Sequence, residues 1–107
     1  ENQMRETIVT GGQLVEWTEK GQEREGYYKD LVDGKEYRGK ISQLLVLESE
    51  SGESFKVPLS VVLEDKIVKV KRGTYVWIKF LGEVEGKTFN YKNFQVDQDK
   101  EKVRNFA

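Results

Sequence analysis

Residues 73–81, GTYVWIKFL, have the clearest period of two in the chain. One side of an extended strand carries Val76, Ile78 and Phe80, and the other carries Tyr75, Trp77 and Lys79. The first side is expected to face a core. The side with two large aromatic rings needs a cover, which is either the protein's own chain or a ligand. The sequence leaves that choice open.

Four further strands and one helix are predicted around this stretch. The strands are expected at residues 23–32, 41–48, 54–59 and 88–96, with hairpin turns at 33–34, 49–53 and 82–87. Leu63, Ile67 and Val70 recur at helical spacing, so a helix is predicted over 60–70 with Ser60 as its N-cap and Gly73 as its stop. Gly26 is expected to mark a bulge or bend.

The order of these elements predicts the fold class. Three strands, a short helix and two strands give an all-β OB-fold, a five-stranded Greek-key barrel with the helix between strands 3 and 4. We divide the chain into an N-terminal arm (1–20), the OB-fold domain (21–97) and a frayed C-terminal tail (98–107). Trp17 is expected to cap the core, and it is the natural candidate to cover Trp77. Either Tyr27 or Tyr28 should point inward, and the sequence does not settle which.

Composition narrows the function classes. The 107 residues include no cysteine and no histidine, so the usual zinc, haem and iron–sulfur sites are not expected, nor is any other cofactor. The commonest general base and the commonest soft nucleophile are therefore missing, and we predict that the protein is not an enzyme. No apolar run is long enough to span a bilayer and no secretory signal is visible, so an intracellular, cytoplasmic setting without a membrane partner is expected.

The net charge of −1 conceals an uneven distribution. Residues 66–92 contain seven basic and two acidic side chains, a surplus of five positive charges. Such a surplus can follow a phosphate backbone, but it is equally compatible with a solvated face. Tyr37, Arg38 and Lys40 add an aromatic ring and two cations within four residues, a combination that suits a stacked base and its phosphates.

Several short patterns carry a resemblance to a known family. They are the Glu25-Gly26 pair, the Gly52 hairpin, the run VPLS (57–60) leading to Leu63, the pattern G-x-x-V-x-I-x-F-L-G (73–82) and the ending YKNFQV (91–96). In this order and spacing, residues 21–97 resemble the small OB-fold single-stranded DNA-binding proteins of bacteriophages. Bacterial-type members often end in an acidic tail with a terminal aromatic. Here the end is mixed in charge and Ala107 follows Phe106, so partner recruitment by such a tail is in doubt.

The resemblance implies sequence-tolerant binding of single-stranded DNA, or RNA, in phage-type replication, recombination or repair in the host cytoplasm. The rings expected to stack on bases are Tyr28, Tyr37, Tyr75, Trp77 and Tyr91. The cations expected to neutralise phosphates are Arg38, Lys40, Lys56, Lys79, Lys87 and Lys92. The alternative is an OB-fold interaction or assembly module without nucleic-acid binding, with the Tyr75/Trp77 face buried in a homo-oligomer. An oligosaccharide or nucleotide binder is a third, weaker possibility.

Overall fold

The computed structural model describes residues 13–106, without the side chains of Gln13, Lys35 and Tyr37. These residues form six strands and one short helix. Their bounds are β1 Gln13–Leu14, β2 Glu23–Tyr37, β3 Lys40–Glu48, β4 Ser54–Pro58, α1 Val61–Ile67, β5 Thr74–Val84 and β6 Tyr91–Val103. The predicted all-β class with one short helix is confirmed. Residues 1–12 of the predicted arm lie outside the described residues.

All the strands belong to one sheet with the order β1-β4-β3-β2-β5-β6. The long β2 pairs with β3 along one part and with β5 along another, and these pairings are antiparallel. Among the strands of residues 13–106, only the short β1 pairs in parallel, beside β4. Within residues 13–106 the strands β4 and β6 do not pair, so the sheet is open and does not close into the predicted five-stranded barrel.

The first hairpin turn lies later than predicted. Strand β2 continues through Asp33-Gly34, where a turn was expected. Its pairing with β3 shifts register between Asp33 and Glu36. The turn is formed by Arg38 and Gly39, which have φ angles of 54° and 79°. Positive φ at both central residues gives a two-residue turn whose twist matches that of the flanking strands.

Gly26 lies where the backbones of β2 and β3 approach each other closely, and the predicted bulge is not at this residue. It pairs with Val76 in regular register, and a Cβ there would lie 2.9 Å from the Glu48 carbonyl oxygen. Glycine is therefore needed where β2 passes between its two partner strands. The bulge in this part of β2 falls between Tyr28 and Asp30.

The final strand is longer than predicted. Residues 98–103 belong to β6, so the prediction of a frayed tail is wrong for them. Regular pairing reaches Asp99 opposite Tyr75 and resumes at Val103 opposite Thr74. The amide of Arg104 then donates to the Gly73 carbonyl. These residues carry charges rather than apolar anchors, which is why periodicity did not reveal the strand.

The core lies between the sheet and α1. Val76, Ile78 and Phe80 are buried as predicted, together with Leu63 and Ile67 of the helix. The Ser60 hydroxyl caps α1 by accepting a hydrogen bond from the Leu63 amide at 3.3 Å, which confirms the predicted N-cap.

Trp17 is a core residue, as expected, with 7% of its surface exposed. Its ring centroid lies 5.2 Å from that of Phe94 and 6.0 Å from that of Phe80. Because Phe80 and Trp77 point to opposite sides of β5, the expectation that Trp17 covers Trp77 is wrong.

Candidate nucleic-acid interface

The outer face of β2 and β5 carries a row of three rings. The ring centroids of Tyr27 and Tyr75 are 4.9 Å apart, and those of Tyr75 and Trp77 are 5.2 Å apart, both in edge-to-face geometry. Each such pair stabilises a fold by about 0.5–1.5 kcal/mol in addition to the free energy gained by burying its apolar area. We call these residues the aromatic row.

Residues at the end of β6 cover two rings of the aromatic row, Tyr27 and Tyr75. The Lys102 ammonium lies 3.9 Å from the Tyr75 centroid, and the Arg104 guanidinium carbon lies 4.2 Å from the Tyr27 centroid. Both are cation–π contacts, in which the positive charge sits against the electron-rich face of a ring. The protein's own chain therefore supplies a cover for Tyr75, whereas Trp77 stays half-buried.

Ion pairs hold these two cations in place. Arg104 pairs with Glu48, Lys102 pairs with Glu50, and Lys29 adds a second contact to Glu48 at 3.3 Å. The hydrogen bond from Arg104 to Glu48 holds the pKa of that carboxyl below its usual range, and Lys29 acts in the same direction. The cations over the rings are thus tied to β3 and to the turn that follows it.

Two of the predicted stacking tyrosines are buried. Tyr75 is 4% exposed and its hydroxyl donates to Glu25 at 2.7 Å. Burial, followed by that hydrogen bond, raises the pKa of Tyr75. Tyr28 is 8% exposed and belongs to the apolar core, where burial, followed by the charge of Asp30, raises its pKa. Their positions leave little ring surface for a base.

Most of the other predicted residues lie apart from the two buried tyrosines, although Trp77 contacts Tyr75. Trp77 is half-buried, Lys79 is exposed on the same side of β5, and Lys56 is half-buried on β4. Arg38 is exposed in the β2–β3 turn and Lys87 in the loop between β5 and β6. The Tyr37 backbone ends β2, and its side chain lies outside the description. Trp77 is thus the member of this group that contacts a buried tyrosine, whereas Lys56, Arg38 and Lys87 lie on other elements.

A groove between α1 and the β5–β6 loop is lined by two of the predicted residues, Tyr91 and Lys92. Its volume is about 500 Å³, and we call it the loop groove. It is lined by Ser60, Val61, Val62, Phe89, Asn90, Tyr91 and Lys92. A second depression shares Ser60 and Val61 and extends to Lys40 and Ile41 at the base of the first hairpin. Lys40, Tyr91 and Lys92 therefore border surfaces that meet at Val61.

Two exposed rings mark the loop groove. Phe89 is 69% exposed and Tyr91 is 39% exposed, so both have ring surface available to a ligand. Gly86 shapes the loop, because a Cβ there would overlap the Phe89 carbonyl oxygen. Lys87 and Lys92 flank the rings in sequence and are exposed. The groove thus combines apolar ring surface with nearby positive charge.

Phe89 was not among the predicted site residues. The sequence placed it in the last strand because it shares parity with Tyr91. The structure places it in the loop, since β6 begins at Tyr91. The signal that could have identified it is the adjoining Asn90, which is depleted in strands and favoured in turns.

Two other kinds of feature are not found in residues 13–106: groups of side chains that could hold a metal ion, and helices that could span a membrane. Among residues 13–106, no cluster of three or more carboxylate side chains is arranged to hold a metal ion. The single described helix is also too short to cross a bilayer.

Comparison with protein families, with curated proteins and with solved structures finds no match in any of the three.

Proposed function

We propose that this protein binds single-stranded nucleic acid, with DNA as the first candidate and RNA as the second, without strong sequence preference. The observation that carries the proposal is the loop groove, with exposed Phe89 and Tyr91 beside Lys92. Any base can stack on a ring because every base has a π-face, whereas lysines contact the phosphates irrespective of sequence.

The strand connections support an OB-fold as the finer description of the architecture. Strand β2 pairs with both β3 and β5, α1 stands between β4 and β5, and β5 pairs with β6. An OB-fold has this order and is often only partly closed. Its ligands commonly contact the loops that correspond here to the β2–β3 turn and the β5–β6 loop. Arg38 and the loop groove lie in those two loops.

The size of the interface limits the expected affinity. Two rings would contribute on the order of 1–3 kcal/mol for each stacked base. If Lys40, Lys87 and Lys92 each neutralise one phosphate, the logarithm of the affinity should fall with the logarithm of salt concentration with a slope of about −2. The proposed biological role, taken from the family resemblance, is protection or handling of single strands during phage-type replication, recombination or repair in the host cytoplasm.

The test is the fluorescence anisotropy of a labelled oligo-dT at low and moderate salt. The wild-type protein should bind at low salt and weaken as salt rises. Phe89→Ala should weaken binding about 5- to 150-fold, the equivalent of one lost stacked base. Lys92→Gln should also weaken binding and make the salt slope shallower.

Two controls separate the groove from the rest of the surface. Lys100→Gln removes a charge from an exposed lysine of β6, outside the loop groove, and should leave binding within about twofold of wild type. Trp77→Phe changes the aromatic row and should have a similarly small effect. Flat anisotropy for the wild type at low salt would reject the proposal and favour the assembly module. That alternative has less support at the Tyr75/Trp77 face, because Lys102 and Arg104 already cover the neighbouring rings.

A further inference from the structure

A third depression shares Val61 with the loop groove, and its other lining residues differ from those of the groove. It has a volume of about 210 Å³, and we call it the acidic cavity. It is lined by Leu31, Gln43, Leu59, Val61, Glu64, Asp65, Ile67 and Val68. Val61 is 79% exposed and Val68, which caps the helix, is 65% exposed. Val61 is therefore an exposed apolar residue that borders three depressions.

The loop groove and the acidic cavity differ in charge: Lys92 lines the groove, which forms the basic side, whereas Glu64 and Asp65 line the cavity, which forms the acidic side. Glu64 also lines the depression that contains Lys40. Glu64 and Asp65 are exposed at the acidic cavity, and no cation among its lining residues opposes them. Lys66 of the same helix is directed elsewhere, since its ammonium donates to the Phe94 carbonyl at 2.6 Å. Two carboxylates would repel phosphates, so a nucleic acid in the loop groove is not expected to continue into this cavity.

The chain itself carries a segment complementary to the acidic cavity. Phe89 is exposed and lies between Lys87 and Lys92 in sequence, so an apolar ring is accompanied by two cations. A cavity of about 150 Å³ is large enough to bind benzene, so a depression of 210 Å³ has room for a phenylalanine ring. The flanking lysines would then approach Glu64 and Asp65.

We propose that the surface around Val61 is an interface between two copies of this chain, with Phe89 of each copy inserted into the acidic cavity of the other. A two-fold axis passing close to Val61 brings the basic side of each copy onto the acidic side of the other. The interface therefore contains two identical contacts of this kind. Such self-complementary pairing about a two-fold axis is the commonest form of homo-oligomer. This interface differs from the Tyr75/Trp77 face suggested by the sequence.

The interface has a consequence that rests on the proposed function. If Phe89 stacks on bases, a single strand and a second copy compete for the same ring. Oligo-dT should then lower the fraction of dimer, and by linkage dimer formation should weaken oligo-dT binding to the same extent. Bound oligo-dT that leaves the dimer intact would overturn shared use of Phe89.

The dimer itself is tested without nucleic acid, by sedimentation velocity from micromolar to millimolar concentration. The wild-type mass should rise from 12.5 kDa towards twice that value. Reversing the acidic side with Glu64→Lys and Asp65→Lys, or the basic side with Lys87→Glu and Lys92→Glu, should weaken association at least about tenfold, because like charges then face each other. An equimolar mixture of the two reversed proteins should associate again.

Matched variants exclude general charge effects. Lys71→Glu with Lys100→Glu gives the same net charge as the basic-side reversal, changes exposed lysines outside the interface and should associate like wild type. Adding Phe89→Ala to both members of the equimolar mixture should abolish its association. The proposal is overturned if the wild type stays monomeric, if its dimer survives both reversals, or if the mixture stays monomeric. Because these measurements need no oligonucleotide, their failure is distinguishable from failure of the proposed function.

Discussion

At the scale of single residues, glycine positions explain how separate parts of the chain come together. Gly73 has a φ of 97°, and a Cβ there would overlap the Arg104 carbonyl oxygen. Its amide donates to the Tyr28 carbonyl, and its own carbonyl accepts from the Arg104 amide. One residue thus joins β2, the start of β5 and the end of β6. The sequence identified Gly73 only as a helix stop, because the partner that crowds it lies 31 positions further along the chain.

Gly73→Ala is expected to be much more destabilising than Gly52→Ala. Both glycines have positive φ, but nothing lies within 4 Å of a Cβ at Gly52. Gly52→Ala should cost roughly 1–2 kcal/mol, from backbone conformation alone. Gly73→Ala adds the overlap with Arg104 and should cost on the order of 3–5 kcal/mol. Urea unfolding of the two variants measures the difference, and equal costs would contradict the close approach.

At the scale of elements, amphipathic segments could be predicted and charged ones could not. The core side of β5 and the Leu63/Ile67 face of α1 follow from the spacing of apolar residues, and the structure confirms both. The last part of β6 has no such spacing. Lys102 and Arg104 are held by rings and carboxylates that come from distant parts of the sequence. Contacts of that kind leave no local pattern.

Acidification should release the end of β6. The pKa of Glu48 is lowered from an ordinary value of 4.5, chiefly by the hydrogen bond from Arg104. A lowered folded-state pKa means that the ionised carboxylate stabilises the fold above about pH 4.5 and that this stability is lost as the pH falls through the folded-state pKa. Unfolding free energy should therefore decline below pH 4.5 in the wild type, and less steeply in Glu48→Gln.

Glu53→Gln is the matched control for this titration. Glu53 is exposed at the β3–β4 turn and forms no ion pair with another residue of the described range. Its variant should retain the wild-type decline in unfolding free energy. An equal decline in Glu48→Gln and wild type would show that the contacts of Glu48 do not contribute to it.

At the scale of the whole molecule, the two strands of the open sheet that do not pair within residues 13–106, β4 and β6, are connected through the segment from β1 to Trp17. The Val15 amide donates to the Lys56 carbonyl on β4, whereas Trp17 packs against Phe94 on β6. The segment from β1 to Trp17 thus links the two strands that do not pair within the described residues. The sequence indicated that Trp17 belongs to the core, but the link depends on a parallel pairing that has no local signal.

Trp17→Ala should destabilise the whole fold by about 3–5 kcal/mol, the usual cost of deleting a large buried ring. Trp17→Phe should cost only on the order of 1 kcal/mol, because ring packing is retained. No hydrogen bond is lost in this variant, since the buried Nε1 has no acceptor within residues 13–106. Thermal and urea unfolding measure both variants. A small effect of Trp17→Ala would mean that the link is not needed.

The two tryptophans lie on opposite sides of one sheet, and this arrangement equips the protein with two independent optical reporters. Trp17 is enclosed with Phe80 and Phe94, so its emission should change only when the core opens. Trp77 is half-buried beside Tyr75, on which Lys102 rests, so its emission should respond when the end of β6 detaches. Replacing either tryptophan by phenylalanine isolates the signal of the other. Time-resolved fluorescence could then distinguish detachment of one strand from unfolding of the whole domain without any attached dye.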